Sequence, residues 1–211
     1  MAVRPDPAEA GTPPLAPAAR RKGANPLMQR VDLLDRIVSG AGMAGGWMIV
    51  LLVAVVCVDV VTRKFITFHS TFLQELEWHI HTVAFTLSFG FAYLRGAHVR
   101  IDVIRDRLSR TARARLELAG IILLLVPFAA LILWVGVTFA HQAFVQNEGS
   151  TSAQGIPHRW IIKSLIPVGM VLLLTAAAAT AMRAWCYLRG EADPPEAYEP
   201  DAVTIDAKVV A

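Results

Sequence analysis

Charge, cysteine and internal repeats are all scarce in this sequence. Acidic and basic residues make up 18% of its 211 residues and apolar residues make up 55%, a balance that leaves no room for a separate soluble domain. The two cysteines, Cys57 and Cys186, are predicted near the outer end of the first and the inner end of the last of four membrane spans. Most of the membrane thickness would therefore separate them, far beyond the ~7 Å limit for a disulfide bond. No repeat or inverted symmetry relates the two halves, which argues against the repeat-built core of many secondary transporters.

Long apolar stretches dominate the sequence instead. Four of them, at about residues 42–61, 72–94, 116–140 and 161–182, each approach the ~20 residues that a helix needs to cross ~30 Å of hydrocarbon. The first is too long for the apolar part of a signal peptide, and no small-residue cleavage site follows it. We therefore predict an all-α membrane protein in which residues 31–189 form a domain of four transmembrane helices.

The segments outside this domain indicate its orientation. Residues 1–30 are rich in Pro, Ala and charge, and residues 190–211 are acidic and contain Pro, so both tails are predicted to be disordered. Sixteen of the 20 Lys and Arg residues lie before the first apolar stretch, in the second connection and at the C-terminal end, and four lie in the first and third connections. Because positive residues concentrate on the cytoplasmic side, both termini and the second connection are predicted to be cytoplasmic.

The second stretch is the most polar of the four. On a helical wheel its small and polar residues form two opposite stripes, which need protein on both sides because polar groups facing lipid are costly. Glu75 with His79, and Glu77 with His81, stand four residues apart, close enough for carboxylate–imidazole hydrogen bonds. Two interpretations stay open for these pairs: a proton or cation relay, or a polar surface at the outer end of the helix that docks against a neighbouring helix.

Close packing and ion pairing are predicted at two further places in the first stretch. Gly42 and Gly46 form a G-x-x-x-G motif, which lets two helices approach closely in lipid. Asp59 and Arg63 stand four residues apart and are predicted to pair near the outer end of the same helix.

The second connection and the third stretch carry local structural signals. Residues 96–108 alternate apolar and charged side chains at helical spacing, which predicts a short amphipathic helix lying in the cytoplasmic interface. Its arginines are interpreted as an orientation and lipid signal, not as a nucleic-acid site. Ser109 or Thr111 is predicted to cap the next helix, and Pro127 is predicted to kink that helix or to need a local substitute for a hydrogen bond.

Residue patterns typical of catalysis or cofactor binding are missing from the sequence. No Cys/His set has zinc spacing, and neither a G-x-S-x-G motif nor a phosphate-binding loop occurs. A membrane haem would need facing histidines at matched depth, whereas His79 and His81 point in nearly opposite directions. We expect no enzymatic activity, cofactor or metal. A self-sufficient small transporter or channel, and a haem-binding membrane redox subunit, remain alternative functions.

One extended segment carries a family resemblance. It comprises an acidic start to the second stretch, then Tyr93-Leu-Arg95, then Gly96-Ala-His98-Val-Arg100-Ile-Asp102, with further similarity around Ser150 and at Arg159, Trp160 and Pro167. In these features the chain resembles the small transmembrane (Q-type) subunit of tripartite ATP-independent periplasmic (TRAP) transporters.

The resemblance implies one subunit of a three-protein secondary uptake system in the bacterial inner membrane. A periplasmic solute-binding protein would deliver an organic acid, a large multispan permease subunit would move it with sodium, and the small subunit would brace the large one among the membrane lipids. No substrate or ion site is implied within this chain. The residues singled out would instead contact the partner subunit or maintain structure: Glu75, Glu77, His79, His81, Arg95, His98, Arg100, Asp102, Arg159, Trp160 and Pro167.

Overall fold

The computed structural model describes residues 26–67, 70–96, 108–152 and 155–193, and helices are the regular secondary structure found there. In chain order these are α1 (Pro26–Phe65), α2 (Thr71–Leu94), α3 (Arg110–Gly120), a π-helical turn (Ile121–Leu125), α4 (Val126–Val145), α5 (Trp160–Lys163) and α6 (Leu165–Leu188). The all-α prediction is confirmed for these residues. The predicted amphipathic helix, the residues of the N-terminal tail before Pro26 and those of the C-terminal tail after residue 193 lie outside the described ranges.

Helix α1 begins earlier than the sequence predicts. It starts at Pro26, so the predicted tail of residues 1–30 overlaps the helix by five residues. Proline is well suited to the first turn of a helix, where its missing N–H would have no partner. The 40 residues of α1 span about 60 Å at ~1.5 Å per residue, about twice the thickness of a hydrocarbon core.

Three helical segments are long and apolar enough to cross a membrane: Leu27–Phe65, Arg110–Val145 and Trp160–Leu188. Helix α2, which corresponds to the remaining predicted span, is not among them. Its 24 residues are long enough, at about 36 Å, but two glutamates and two histidines lie in its first half.

Helix α6 is the centre of the bundle. It contacts every other helix described, whereas α4 packs mainly on α6. The most apolar part of the α6 segment is 28% buried, against 11% for each of the other two apolar segments. The alanine-rich second half of α6 supplies much of this buried surface, with Ala176, Ala177 and Ala179 at 0–1% exposure.

Helix α2 lies between α1 and α6, and small residues bring it close to both. A Cβ atom added at Gly45 of α1 would come within 2.9 Å of the Ala84 carbonyl oxygen, and one added at Gly90 would come within 2.6 Å of the Leu172 carbonyl oxygen of α6. Thr86 packs against Gly169 of α6. The prediction that both polar stripes of α2 face protein is therefore confirmed for the second half of the helix, where α1 and α6 supply that protein, whereas His81 of the second stripe is exposed.

The G-x-x-x-G motif is used only in part within this chain. Gly42 packs against the Phe91 side chain, but Gly46 faces open space, and the second close approach is made by Gly45. The cause is helical phase, because Val31, Val38 and Gly45 repeat every seven residues along the buried side of α1. A packing role for Gly46 would need another chain and stays a prediction.

Two prolines interrupt regular helix geometry. The π-helical turn lies directly before Pro127, with the Val126 N–H bonded to the Ile121 carbonyl, so the predicted local substitution takes the form of a widened turn. Pro167 lies in the first turn of α6, after the break at Ser164 that separates α6 from α5. The predicted cap is also confirmed, since the Ser109 hydroxyl accepts a bond of 3.3 Å from the Ala112 N–H.

Candidate functional site

Polar side chains gather where the connection between α4 and α5 covers the start of α2. We call this group the loop cluster; its members are Glu75, Glu148, Ser150, Ile156, Arg159 and Lys163. The end of α4 determines how it begins. Asn147 adopts a left-handed conformation (φ 47°). Its N–H donates to the Phe144 carbonyl, and the Glu148 N–H donates to the Ala143 carbonyl at 2.9 Å. This Schellman-type helix end turns the chain back and places Glu148 beside the start of α5.

Glu148 closes the connection onto α5. The Lys163 ammonium donates to Glu148 Oε2, and an Arg159 guanidinium nitrogen lies 3.9 Å from Oε1. The Arg159 backbone N–H also donates to the Glu148 carbonyl at 3.0 Å. Lys163 is only 14% exposed and its ammonium stands 3.8 Å from the centre of the Phe139 ring, so its charge is held between a carboxylate and an aromatic face.

Glu75 ties this connection to α2. The Ser150 hydroxyl donates to Glu75 Oε1, and the Ile156 backbone N–H donates to Oε2 at 2.6 Å. A Cβ atom at Gly155 would come within 2.7 Å of Oε1, so only glycine allows the connection to approach this closely. One carboxylate therefore holds both arms of the α4–α5 connection. Its arrangement suits structural bracing, since both oxygens already have donors.

The opposite end of the bundle has its own ion pair. Arg183 of α6 donates to Asp35 Oδ2 of α1, and the other carboxylate oxygen, Oδ1, is buried without a hydrogen-bond partner. In the first turn of α3, the buried Arg113 donates from Nε to the Leu108 carbonyl at 3.1 Å. These contacts link α1 to α6 and fix the start of α3.

The predicted carboxylate–imidazole pairs do not form. His79 Nδ1 lies 2.6 Å from the backbone carbonyl of Glu75, while the Glu75 carboxylate is used by the α4–α5 connection. Glu77 Oε1 is buried without a hydrogen-bond partner, and His81 is exposed. Among the described residues neither predicted hydrogen bond joins a carboxylate to its imidazole, and the relay interpretation stays a prediction. The predicted Asp59–Arg63 pair is present, with Asp59 only 3% exposed.

The remaining predicted residues lie at helix ends. Arg95 caps α2 and its guanidinium lies 5.1 Å from the centre of the Phe91 ring. The Trp160 ring packs edge-on against Phe144 at 5.4 Å, and Pro167 packs against Gly136 of α4. Three other predicted residues, His98, Arg100 and Asp102, lie outside the described residues.

Several residues that shape the site escaped the sequence analysis. Asp35, Arg183 and Glu148 were not singled out, although the opposite charges of Asp35 and Arg183, both predicted near the cytoplasmic face, were a usable signal. Ser150 was noted only within the family resemblance. In the four described ranges, no group of three or more His, Cys, Asp or Glu side chains has an arrangement that could hold a metal ion.

Comparison with known proteins supplies the remaining observation. The family model described as "Tripartite ATP-independent periplasmic transporters, DctQ component" matches residues 52–187. The matched segment contains α2, α3, α4, α5 and nearly all of α6, with the complete loop cluster. No curated protein and no solved structure matches the chain.

Proposed function

This chain belongs to the DctQ component family of the tripartite ATP-independent periplasmic transporters, and from that premise we propose that it braces the large permease subunit during solute uptake. As a DctQ component it is a small permease subunit and a multi-pass membrane protein. The observation that carries the bracing role is the loop cluster, in which Glu75 and Glu148 are both occupied by contacts within the chain. Carboxylates used in this way stabilise a fixed frame.

The proposed transport reaction follows from the family and belongs to the complex. A periplasmic solute-binding protein delivers an organic acid, the large subunit carries it across the bacterial inner membrane with sodium, and the small subunit does no chemistry of its own. Its ionisable side chains support this division of labour. The Asp35–Arg183 pair and the loop cluster hold neighbouring segments together, and the Asp59–Arg63 pair lies within the last two turns of α1.

We further propose that α2 crosses the membrane as a fourth span, with both termini cytoplasmic. Its length of about 36 Å suffices, and it lies against two of the long apolar segments. Gly42 contacts Phe91 and Gly45 contacts Ala84, so α1 and α2 are antiparallel. Thr86 contacts Gly169 and Gly90 contacts Leu172, so α2 and α6 run in the same direction. That alternation fits an up-and-down bundle, and the asymmetry of Lys and Arg supports its orientation.

Cysteine accessibility tests this topology. Single cysteines introduced at Ser152 and at Arg110, in a chain lacking Cys57 and Cys186, report on opposite ends of the bundle. We expect a membrane-impermeant thiol reagent added to intact cells to label position 152 and not position 110. A third cysteine at Lys64, on the other side of α2 from position 110, should be labelled together with position 152. The same labelling at positions 64 and 110 would mean that α2 does not cross, and labelling of position 110 alone would invert the orientation.

Reconstitution tests the bracing function. Proteoliposomes containing the small subunit alone, the large subunit alone or both are compared for sodium-driven uptake in the presence of the solute-binding protein. We expect uptake only when both membrane subunits are present. Sodium-driven uptake by the small subunit alone would overturn the proposal, as would full uptake by the large subunit alone.

A further inference from the structure

One face of α2 is not covered by the rest of the chain, and its chemistry is unlike that of the other uncovered faces. Trp78, His81 and Phe85 follow one another at helical spacing on the side opposite the buried Ile80. Trp78 is 71% exposed and Phe85 is 61% exposed, and His81 is exposed between them. We call these three residues the α2 face.

His81 is the unusual member of this face. The four apolar stretches of the sequence are all described, and within them His81 is the only Asp, Glu, His, Lys or Arg side chain that is exposed. It lies about 9 Å along the helix beyond Glu75, and about 20 Å of α2 follow it before Leu94. With α2 crossing the membrane, this places an imidazole within the hydrocarbon.

An ionisable side chain at that depth requires a polar neighbour. Such residues in membrane helices nearly always face protein or a water-filled cavity, because hydrocarbon satisfies neither the donor nor the acceptor of an imidazole. The other exposed faces need no such neighbour. In the apolar stretches of α1 and α4 no Asp, Glu, His, Lys or Arg is exposed, whereas apolar side chains such as Val50 and Leu131 are. The exposed Thr138 hydroxyl already donates to the Trp134 carbonyl. Lipid suits those faces and does not suit His81.

The aromatic members make the α2 face suitable for a protein partner. Trp is enriched among residues that dominate binding energy, and large rings supply contact area with little loss of conformational freedom. Phe85 is already held by the Phe89 ring, edge-on at 5.3 Å between centroids. A partner therefore meets the rings of Trp78 and Phe85 on either side of the imidazole of His81, with the Phe85 ring already held in place.

We propose that the α2 face docks a transmembrane helix of the large permease subunit, and that this helix presents a polar side chain to His81. The inference rests on the proposed bracing function and deepens it by naming the surface through which the brace acts. The partner helix has small residues that accommodate Trp78 and Phe85, and a hydroxyl, amide or carboxyl group at the depth of His81. Lipid and a second copy of this chain are the competing occupants.

Matched positions on α4 make the test sharp. Trp134 is 75% exposed and Phe128 is 62% exposed, nearly the same as Trp78 and Phe85, and His141 is likewise exposed on α4. A photo-reactive benzoylphenylalanine replaces Trp78, Phe85, Trp134 or Phe128, one at a time, in cells that produce both membrane subunits. We expect cross-links to the large subunit from positions 78 and 85 and several-fold fewer from 134 and 128.

Substitutions measure the energetic share of the same residues. We expect His81→Leu to lower the large subunit recovered with the chain about threefold, the factor typical of one interhelical hydrogen bond in a membrane. Trp78→Ala combined with Phe85→Ala should lower recovery about tenfold or more, as expected for interface residues of this kind. The matched α4 changes, His141→Leu and Trp134→Ala with Phe128→Ala, should leave recovery unchanged.

The outcomes separate this inference from the proposed function. Cross-links from positions 78 and 85 to lipid alone, or to a second copy of this chain, would overturn the inference, while co-purification of the unsubstituted subunits would keep the bracing function intact. Cross-links to the large subunit from 134 and 128 instead would move the interface to α4. Failure of the unsubstituted chain to co-purify with the large subunit would overturn both.

Discussion

Helices α2 and α4 have similar lengths, but they differ in the polarity of their side chains and in how far other helices cover them. Helix α2 carries glutamates, histidines, threonines and one glycine, and it is packed between α1 and α6. Helix α4 is apolar along nearly its whole length, packs mainly on α6 and leaves large side chains exposed, including Phe128, Leu131 and Trp134. The polar helix is covered by protein on two sides, and the apolar helix is left largely exposed.

The difference follows from the bilayer as a solvent. Lipid is as apolar as a leucine side chain, so an apolar helix gains little from being buried by other helices, whereas a polar helix loses much if it is not. Small residues then let backbones approach closely, as Gly45 and Gly90 do on the two sides of α2. Within the four apolar stretches, all of which are described, His81 on the α2 face is the one ionisable side chain that is left exposed.

The largest effect is expected from filling the contact between α2 and α6. In Gly90→Ala the new Cβ atom would lie 2.6 Å from the Leu172 carbonyl oxygen, so the helices must separate. We expect a loss of about 1–3 kcal/mol in the free energy of unfolding, in the range known for overpacked interiors. Thermal unfolding in detergent measures it. Gly46→Ala, where nothing lies within 4 Å, is the matched control, and equal destabilisation by both changes would refute close α2–α6 packing.

A smaller, local effect is expected from breaking the loop cluster at α2. Glu75→Leu removes the acceptor of both the Ser150 hydroxyl and the Ile156 N–H, so the α4–α5 connection should open. Glu75→Gln retains an acceptor for Ile156 and an amide group for Ser150, and should keep the connection closed and uptake mostly intact. Hydrogen exchange at the Ile156 amide is the measurement. If Glu75→Gln abolished uptake while the complex stayed assembled, α2 would be involved directly in ion coupling.

A weaker effect is expected from the ion pair that closes the same connection from α5. Lys163→Met removes the ammonium held by Glu148 but keeps most of the apolar stem beside Phe139. Because the pair is partly exposed, the expected loss in the free energy of unfolding is about 0.2–1 kcal/mol and should shrink at high salt. Lys64→Met, at an exposed position at the end of α1, is the control and should change neither stability nor its salt dependence. If high salt left the loss of unfolding free energy in Lys163→Met unchanged, the loss would come from packing and not from the ion pair.

The smallest effect is expected on the bare side of α4. Phe128→Leu replaces one exposed apolar side chain with another, so the free energy of unfolding should change by less than about 0.5 kcal/mol. Recovery of the large subunit with the chain should also be unchanged. Both quantities can be measured on the same purified complex. A clear drop in recovery would assign a partner, and not lipid, to this face.

Much of the architecture could be predicted because it depends on local chemistry. Apolar length marks the long helices, Ser109 caps α3 as its position suggests, and Pro127 forces a widened turn just before it. The two polar stripes of α2 also predicted a helix with protein on both sides. What the stripes could not predict was the identity of that protein, which is α1 on one side and α6 on the other.

The candidate site was predicted only in outline. Glu75 was singled out, but its expected partner was His79, four residues away, whereas its true partners lie 75 and 81 residues further along the chain. Those contacts depend on the left-handed turn at Asn147, which has to bring the α4–α5 connection back over α2. Spacing along one helix cannot reveal a donor that arrives from another.

The sequence by itself determined that the chain is helical, that most of its helices suit a membrane and that α2 is too polar to face lipid on every side, because these properties follow from side-chain chemistry and helical period. Only the tertiary structure decided that α6 is the centre of the bundle, that Asp35 pairs with Arg183 across 148 residues and that His81 is left facing outward. The physical reason is that each depends on the rotation and depth of one helix relative to another. Those are set by the summed packing of small residues and loop contacts along the whole bundle.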